Sequence, residues 1–235
     1  MSQHEPSSFK QTQLGYERVS KADDRCGTEV ARLLQEKCLG TTPFQVYFRV
    51  FKEEGELECW VAKAGGTFSH LKTYTICCSS GKKGPKRKQG DLQVPEGFYT
   101  ISRFNPLSLY HLSIGLDYPN TSDRILGDKN NLGGDVFIHG KCVSVGCLAM
   151  TDELMEEIYL ISVEARDRSE TPIFLHSFPC KLTDSKFKKL MALDPKQEVA
   201  ELWGELKVIQ DIFESTKKLP EVAYLHDGRH RVQGI

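Results

Sequence analysis

Residues 44–50, FQVYFRV, alternate strictly: Phe44, Val46, Phe48 and Val50 fall on one side, Gln45, Tyr47 and Arg49 on the other. A period of two is that of a strand, so the segment predicts a half-buried β-strand and argues against an amphipathic helix. KEEGE follows as a turn, and LECWVAK pairs back as the second arm of a hairpin. LKTYTICC, FYTISRF, YHLSIGL, DVFIH and PIFLHSF are further strands. Two long, turn-rich stretches separate them. SSGKKGPKRKQGDLQVPEG carries Lys82, Lys83, Lys86, Arg87 and Lys88 and reads as a solvated loop. DYPNTSDRILGDKNNLGG reads as a second loop, long enough to cover a site or to move.

Helical spacing is confined to the flanks and to one segment beside DVFIH. Residues 1–19 read as a flexible leader, and 20–43 as a helical segment with Val30, Leu33 and Leu34 inward and Gly40 as its stop. Thr151 and Asp152 suit a helix start, followed by a buried stripe of Leu154, Ile158, Ile161 and Ala165. Residues 44–180 form the strand-rich domain, and 181–235 a helical extension. In the extension Pro195 and Gly204 suggest interruptions, and Asp227-Gly228 turns a terminal hairpin. Strands and helices do not alternate regularly, so the class is mainly β, α+β overall, rather than a parallel α/β sheet.

The formal net charge of −1 gives no field to attract nucleic acid. No apolar run approaches the roughly 20 residues that span a bilayer, and the polar N-terminus lacks the pattern of an export signal. The eight cysteines show no compact, regular framework, so mostly free thiols are expected, with Cys59 and Cys77 as small core residues of strands.

Chemistry concentrates in IHGKCVSVGCLAM, residues 138–150, which holds His139, Cys142 and Cys147. Three readings compete: a metal knuckle, two inert thiols beside a histidine, or a nucleophile with its base. The spacing lacks the paired cysteines of a zinc knuckle, and no second cluster offers a fourth ligand; no metal or other cofactor is expected. A thiol attacks efficiently as thiolate and needs a base or positive field beside it. His139 ends a strand, Gly140 allows a sharp turn, and small Ser144 and Gly146 let backbone N–H groups around Cys147 approach a carbonyl. Cys147, with its glycine and the helix start after it, is the better nucleophile of the two thiols.

IHGKCVSVGC resembles the active-site signature of the YkuD-type L,D-transpeptidase catalytic domain, a histidine–glycine pair followed by serine-x-glycine-cysteine. With GCLAMTDE it is more similar to the YafK-like branch of that family. YTICCSSGKKGPK, GDLQVPEGFYTI, NPLSLYHLSIGLDYPN and IFLHSFP also resemble that branch in order, over about residues 44–180. The resemblance implies a β-sandwich catalytic domain, here with flanking N- and C-terminal helices. It implies Cys147 as nucleophile, His139 as base and acid, and Gly140 as the carbonyl that orients the imidazole. Ser144, Val145 and Gly146 would frame the oxyanion hole, and Tyr110, His111 and Ser113 would lie near the substrate groove. The basic loop becomes a groove wall.

The implied reaction is acyl transfer on peptidoglycan stem peptides through a Cys147 thioester. Another amine resolves it to a cross-link or a protein attachment, and water resolves it as an endopeptidase; a peptidoglycan-linked envelope protein is a further partner. The implied location is the periplasm or cell envelope. Many relatives have a polar residue where Val145 stands and an arginine where Ala149 stands. Those departures motivate the alternative, a non-catalytic peptidoglycan-binding or scaffold protein that keeps the fold.

Overall fold

The computed structural model describes residues 8–233. Strand β1 (Phe44–Phe51) forms the expected antiparallel hairpin with β2 (Glu56–Lys63), Phe44 opposite Lys63 and Phe51 opposite Glu56. Next come β3 (Ser69–Thr75), β4 (Cys78–Ser79), β5 (Gly97–Asn105), β6 (Ser113–Leu116), β7 (Phe137–His139), β8 (Leu148–Ala149) and β9 (Phe174–Phe178). All nine join one curled mixed sheet in the order β3-β2-β1-β9-β5-β6-β7-β8-β4. The hinge of this sheet is β5. Its first half, Gly97–Thr100, pairs with β9, and beyond an irregularity between Ile101 and Arg103 its second half pairs with β6. A bulge of this kind bends a strand and increases its twist, so one strand serves both halves.

Helices are α1 (Phe9–Leu14), α2 (Glu17–Ala22), α3 (Thr28–Glu36), α4 (Thr121–Leu126), α5 (Asp152–Arg168), α6 (Asp184–Met191) and α7 (Gln197–Thr216). The expected leader is corrected for residues 8–19; residues 1–7 lie outside the described part. Ser8 caps α1 reciprocally with Gln11; the helix docks on α5 through the Tyr159 hydroxyl, which donates to Gln13 Oε1 at 2.6 Å, and on β5 through a Phe9–Phe104 ring contact. A π-helical turn, Asp23–Gly27, joins α2 to α3. The latter buries Val30, Leu33 and Leu34 but ends before Gly40, with Cys38 in the left-handed region at φ 57°.

Because α1–α3 cover its outer side, α5 is buried from Met155 to Ala165 rather than along one stripe. Its buried acids are paired: Glu156 with Arg25 and His111, Glu157 with Lys72 and the Tyr74 hydroxyl, Glu164 with Lys10 and Arg168. Strand β1 is likewise buried on both faces, not one. Tyr47 and Arg49 sit under α7, where Phe213 meets the Tyr47 ring at 5.0 Å and Arg49 pairs with Glu58 and Glu214. Pro195 falls between α6 and α7 as expected, whereas Gly204 lies within the uninterrupted α7. The terminal hairpin, β10 (Glu221–Tyr224) with β11 (His230–Gln233), turns as expected. Helix α4 was not anticipated; Asn120 and Asp123 cap it reciprocally inside the second long loop.

Candidate active site

In the sheet's second half, β7 lies between β6, where Ser113 is opposite His139, and β8, where Ala149 is opposite His139. Strands β7 and β8 are parallel, so the few residues between them must return the chain along its own path. Tight backbone bonds fix that return: the Met150 N–H donates to the His139 carbonyl at 2.8 Å, and the Cys142 N–H to the Met150 carbonyl at 3.1 Å. Gly140 is squeezed where its N–H meets the Tyr110 and Leu112 carbonyls. A Cβ there would lie 2.5 Å from Asp152 Oδ1 and 3.0 Å from the Tyr110 oxygen, so no larger residue fits without displacement. Gly146 adopts φ 91°, a left-handed conformation that glycine takes at little cost.

Cys142 is not a free loop thiol. It forms a disulfide with Cys77, with 5.3 Å between the Cα atoms, within the ordinary range for such a bridge. Cys77 is thus neither free nor a simple core residue, while the other six cysteines are free. The bridge adds to a bond from the Cys77 N–H to the Ala149 carbonyl, so the loop is fastened to β4.

Cys147, His139, Ser144, Val145, Tyr110 and Ser113 line one cavity of about 430 Å³. His139 is buried, with Nδ1 2.7 Å from the Gly140 carbonyl. A carbonyl only accepts, so Nδ1 carries the hydrogen and Nε2 is left with its lone pair, the form a base requires. The Tyr110 ring lies 4.7 Å from the imidazole, tilted by 39°. Burial pulls the His139 pKa below its ordinary value, partly opposed by the bond to Gly140. Burial also pushes the Cys147 thiol up, against the main chain of Phe137 and the charge of Lys86. Both shifts favour a resting neutral thiol and neutral imidazole over an ion pair, so the proton would leave sulfur as attack proceeds.

The amides expected to cradle an oxyanion are partly engaged. The Cys147 N–H donates to Ser144 Oγ at 3.0 Å, and the Ser144 hydroxyl donates to the Cys147 carbonyl at 2.6 Å. The Gly146 N–H donates to Ser80 Oγ at 2.7 Å. Gly146 lines a smaller cavity of about 70 Å³ on the other side of Cys147, with Lys86 in its wall. Lys86 is buried, its ammonium held by Asp91 at 2.7 Å and by the Lys88 carbonyl. The basic loop therefore folds in beneath Cys147 at this residue, although Lys82, Lys83 and Lys88 are solvated as expected.

His111 does not join the cavity. At φ 68° it places its imidazole on the α5 side, where Nε2 is 2.6 Å from Glu156 Oε1. The start of α5 is also remote from the role read in it. Strand β8 and Met150 separate it from Cys147, and Asp152 in its first turn accepts the Lys141 N–H at 2.8 Å. Ser80, Asp135 and Phe137 are residues of this region that sequence reasoning did not single out, whereas Lys86 belongs to the basic loop expected as a groove wall. Phe137 and Asp135, two and four positions before His139 in DVFIH and hence on its face, carried a readable signal.

A curled mixed sheet that brings a thiol and a carbonyl-oriented imidazole into one cavity defines an α+β catalytic-domain fold. Residues 50–176 match the model of the YkuD family, the L,D-transpeptidase catalytic domain. The chain is 35% identical over 207 residues to a protein of Escherichia coli K12 provisionally named L,D-transpeptidase YafK, covering 87% of this chain and 79% of that one; the O157:H7 counterpart gives the same figures. Among solved structures it is similar to the helical cell shape determining protein Pgp2 of Campylobacter jejuni. That match has 18% identity and a TM-score of 0.47, and covers 78% of this chain and 73% of that one. The chain belongs to the YkuD L,D-transpeptidase catalytic domain family.

Proposed function

We propose that this protein is a cysteine-dependent enzyme of peptidoglycan stem peptides, an L,D-transpeptidase or a related murein endopeptidase. The observation that carries the reading is the sharing of one cavity by Cys147 and a His139 whose Nδ1 is committed to the Gly140 carbonyl. His139 Nε2 takes the thiol proton while sulfur bonds to the acyl carbon of the third-position residue. The same proton then passes to the leaving amine as the C–N bond breaks, giving a thioester. A second amine, or water activated by His139, breaks the thioester and restores the thiol. Ser113, opposite His139, and Tyr110, against its ring, bound the acyl group on one side.

The substrate places the work in the periplasm or cell envelope, and a peptidoglycan-linked envelope protein is a candidate second substrate. The Cys77–Cys142 bridge supports an oxidising compartment. The test is incubation with purified sacculi and identification of the released or newly joined muropeptides by mass spectrometry. Wild type should change the muropeptide pattern and Cys147→Ala should not. Sacculus binding by both proteins with no turnover by wild type would favour the non-catalytic binding role instead.

A further inference from the structure

Among the residues lining the larger cavity, Asp135 is the one with a charged side chain, and no lysine or arginine joins it. Asp135 also lines the smaller cavity, and with Val145 and Cys147 it is shared by both. Its carbonyl lies 3.8 Å from Cys147 Sγ, so the residue adjoins the atom that would attack an acyl group. That carboxylate pairs with Arg103 on β5, Oδ1 to Nη1 at 2.8 Å. The guanidinium lies 4.7 Å from the centre of the Phe137 ring, and Phe137 lines the larger cavity. Gly115 makes the room: a Cβ there would come within 3.0 Å of Arg103 Nε and 2.9 Å of the Phe137 ring.

This pair is poorly explained as a stabilising contact. The Asp135 side chain is 79% exposed and that of Arg103 46%, and an ion pair so open to water adds little to stability. Asp135 Oδ2 and Arg103 Nη2 carry no hydrogen bond among the described residues. Asp135 also adopts φ 56°, a conformation aspartate tolerates better than most residues. A negative and a positive group held side by side at the mouth of a cavity match a ligand with the reverse pair on one carbon.

We propose that Asp135 and Arg103 form a specificity site for a substrate side chain that ends in an unsubstituted amino-acid centre, the ammonium on Asp135 and the carboxylate on Arg103. In a stem peptide this is the far end of an uncross-linked third-position diamino dicarboxylic acid, so the inference rests on the acyl-transfer reading above. Acylation of that amine removes the charge Asp135 recognises. The pair thus selects stems whose side chain is free over stems in which it is already joined.

The experiment uses two soluble stem peptides, one with the free centre and one with its amine acetylated and carboxyl amidated. Wild type should show a KM about tenfold lower for the free stem, the scale of one charge-assisted hydrogen bond. Asp135→Asn, which keeps the residue's tolerance of positive φ, and Arg103→Gln should each raise that KM about tenfold. Neither should change kcat or the KM of the blocked stem by more than about twofold. The double reversal Arg103→Asp/Asp135→Arg restores an ion pair but presents the charges backwards, so it should not restore the KM. Equal KM for the two stems in wild type, or rescue by the double reversal, overturns the proposal. If wild type turns over neither stem, the acyl-transfer reading fails. The specificity site is then decided by calorimetric binding of the two stems to Cys147→Ala, where equal affinities overturn it.

Discussion

Removing the Cys77–Cys142 bridge by the double change Cys77→Ser/Cys142→Ser gives a prediction whose size follows from the fold. The bridge joins residues 65 apart in sequence. Loop-closure entropy for a loop of that length makes the unfolded chain less favourable by about 4 kcal/mol. The folded side of the balance should change little. The bonds from the Cys77 N–H to the Ala149 carbonyl and from the Cys142 N–H to the Met150 carbonyl remain without the sulfur bridge. For a domain of this size, the melting midpoint should therefore fall by roughly 8–16 °C. The assay is thermal and urea unfolding of wild type and variant, each with and without reductant. Reductant should bring wild type to the midpoint of the variant and leave the variant unmoved. Thiol titration of unreduced, unfolded wild type should find the six free cysteines rather than all eight. Coincident midpoints for oxidised wild type and variant would refute the reasoning, because a bridge across this loop must restrict the unfolded chain.

Three other outcomes are expected. Ser80→Ala removes the acceptor of the Gly146 N–H and the donor to the Leu92 carbonyl, so it should cost about 1–3 kcal/mol in unfolding free energy and lower kcat more than it raises KM on stem peptides. The pH–rate profile should place its acid limb below the ordinary histidine pKa of 6.5, because burial lowers the His139 pKa and the base must be neutral to accept the thiol proton; an acid limb above 6.5 would contradict the assignment. His176, buried with Nδ1 2.9 Å from the Tyr47 hydroxyl, has its pKa pulled down by burial to about 3. The unfolded chain binds this proton more readily, so the stability from His176 is present above about 6.5 and is lost as pH falls towards 3, by roughly 5 kcal/mol. His176→Phe should flatten that part of an unfolding-versus-pH curve.

The strands were legible because their signal is local: alternation in FQVYFRV and the apolar runs of DVFIH and PIFLHSF need no knowledge of neighbours. What lies over a strand is not local. Tyr47 and Arg49 read as the wet face of β1, and they are buried because α7, some 150 residues later, covers them. The helices of residues 8–22 had a readable start, since serine followed three residues on by glutamine is a capping pattern, but their polar composition spoke for a leader. At the candidate site, His139 and Cys147 were visible because one short loop carries both. Ser80 and Lys86 arrive from the loop before β5 and Arg103 from β5 itself, and the partnership of Cys77 with Cys142 depends on β4 pairing with β8. Such convergence is tertiary and leaves no spacing to read.

The same geometry separates the two departures from the family pattern. Ala149 is fully buried in β8, paired with His139 on one side and Cys78 on the other, and it lines neither cavity beside Cys147. A long cation at 149 would have to displace core packing in this chain, and its absence is no argument against catalysis. Val145 differs: it is 76% exposed and lines both cavities beside Cys147. The surface next to the thiol is therefore apolar where a polar residue is more usual, and charge for orienting a substrate must come from other segments. Lys86 is committed to Asp91 and the Lys88 carbonyl, which leaves the proposed Asp135–Arg103 site as the charged group open to a ligand beside Cys147. A Val145→Lys change should then leave the thiol's proton transfer intact and alter which stems are accepted. The ratio of kcat/KM for free and blocked stems should move while the pH–rate limbs stay fixed. Limbs that shifted with the new charge would mean that position 145 acts on the thiol itself rather than on the ligand.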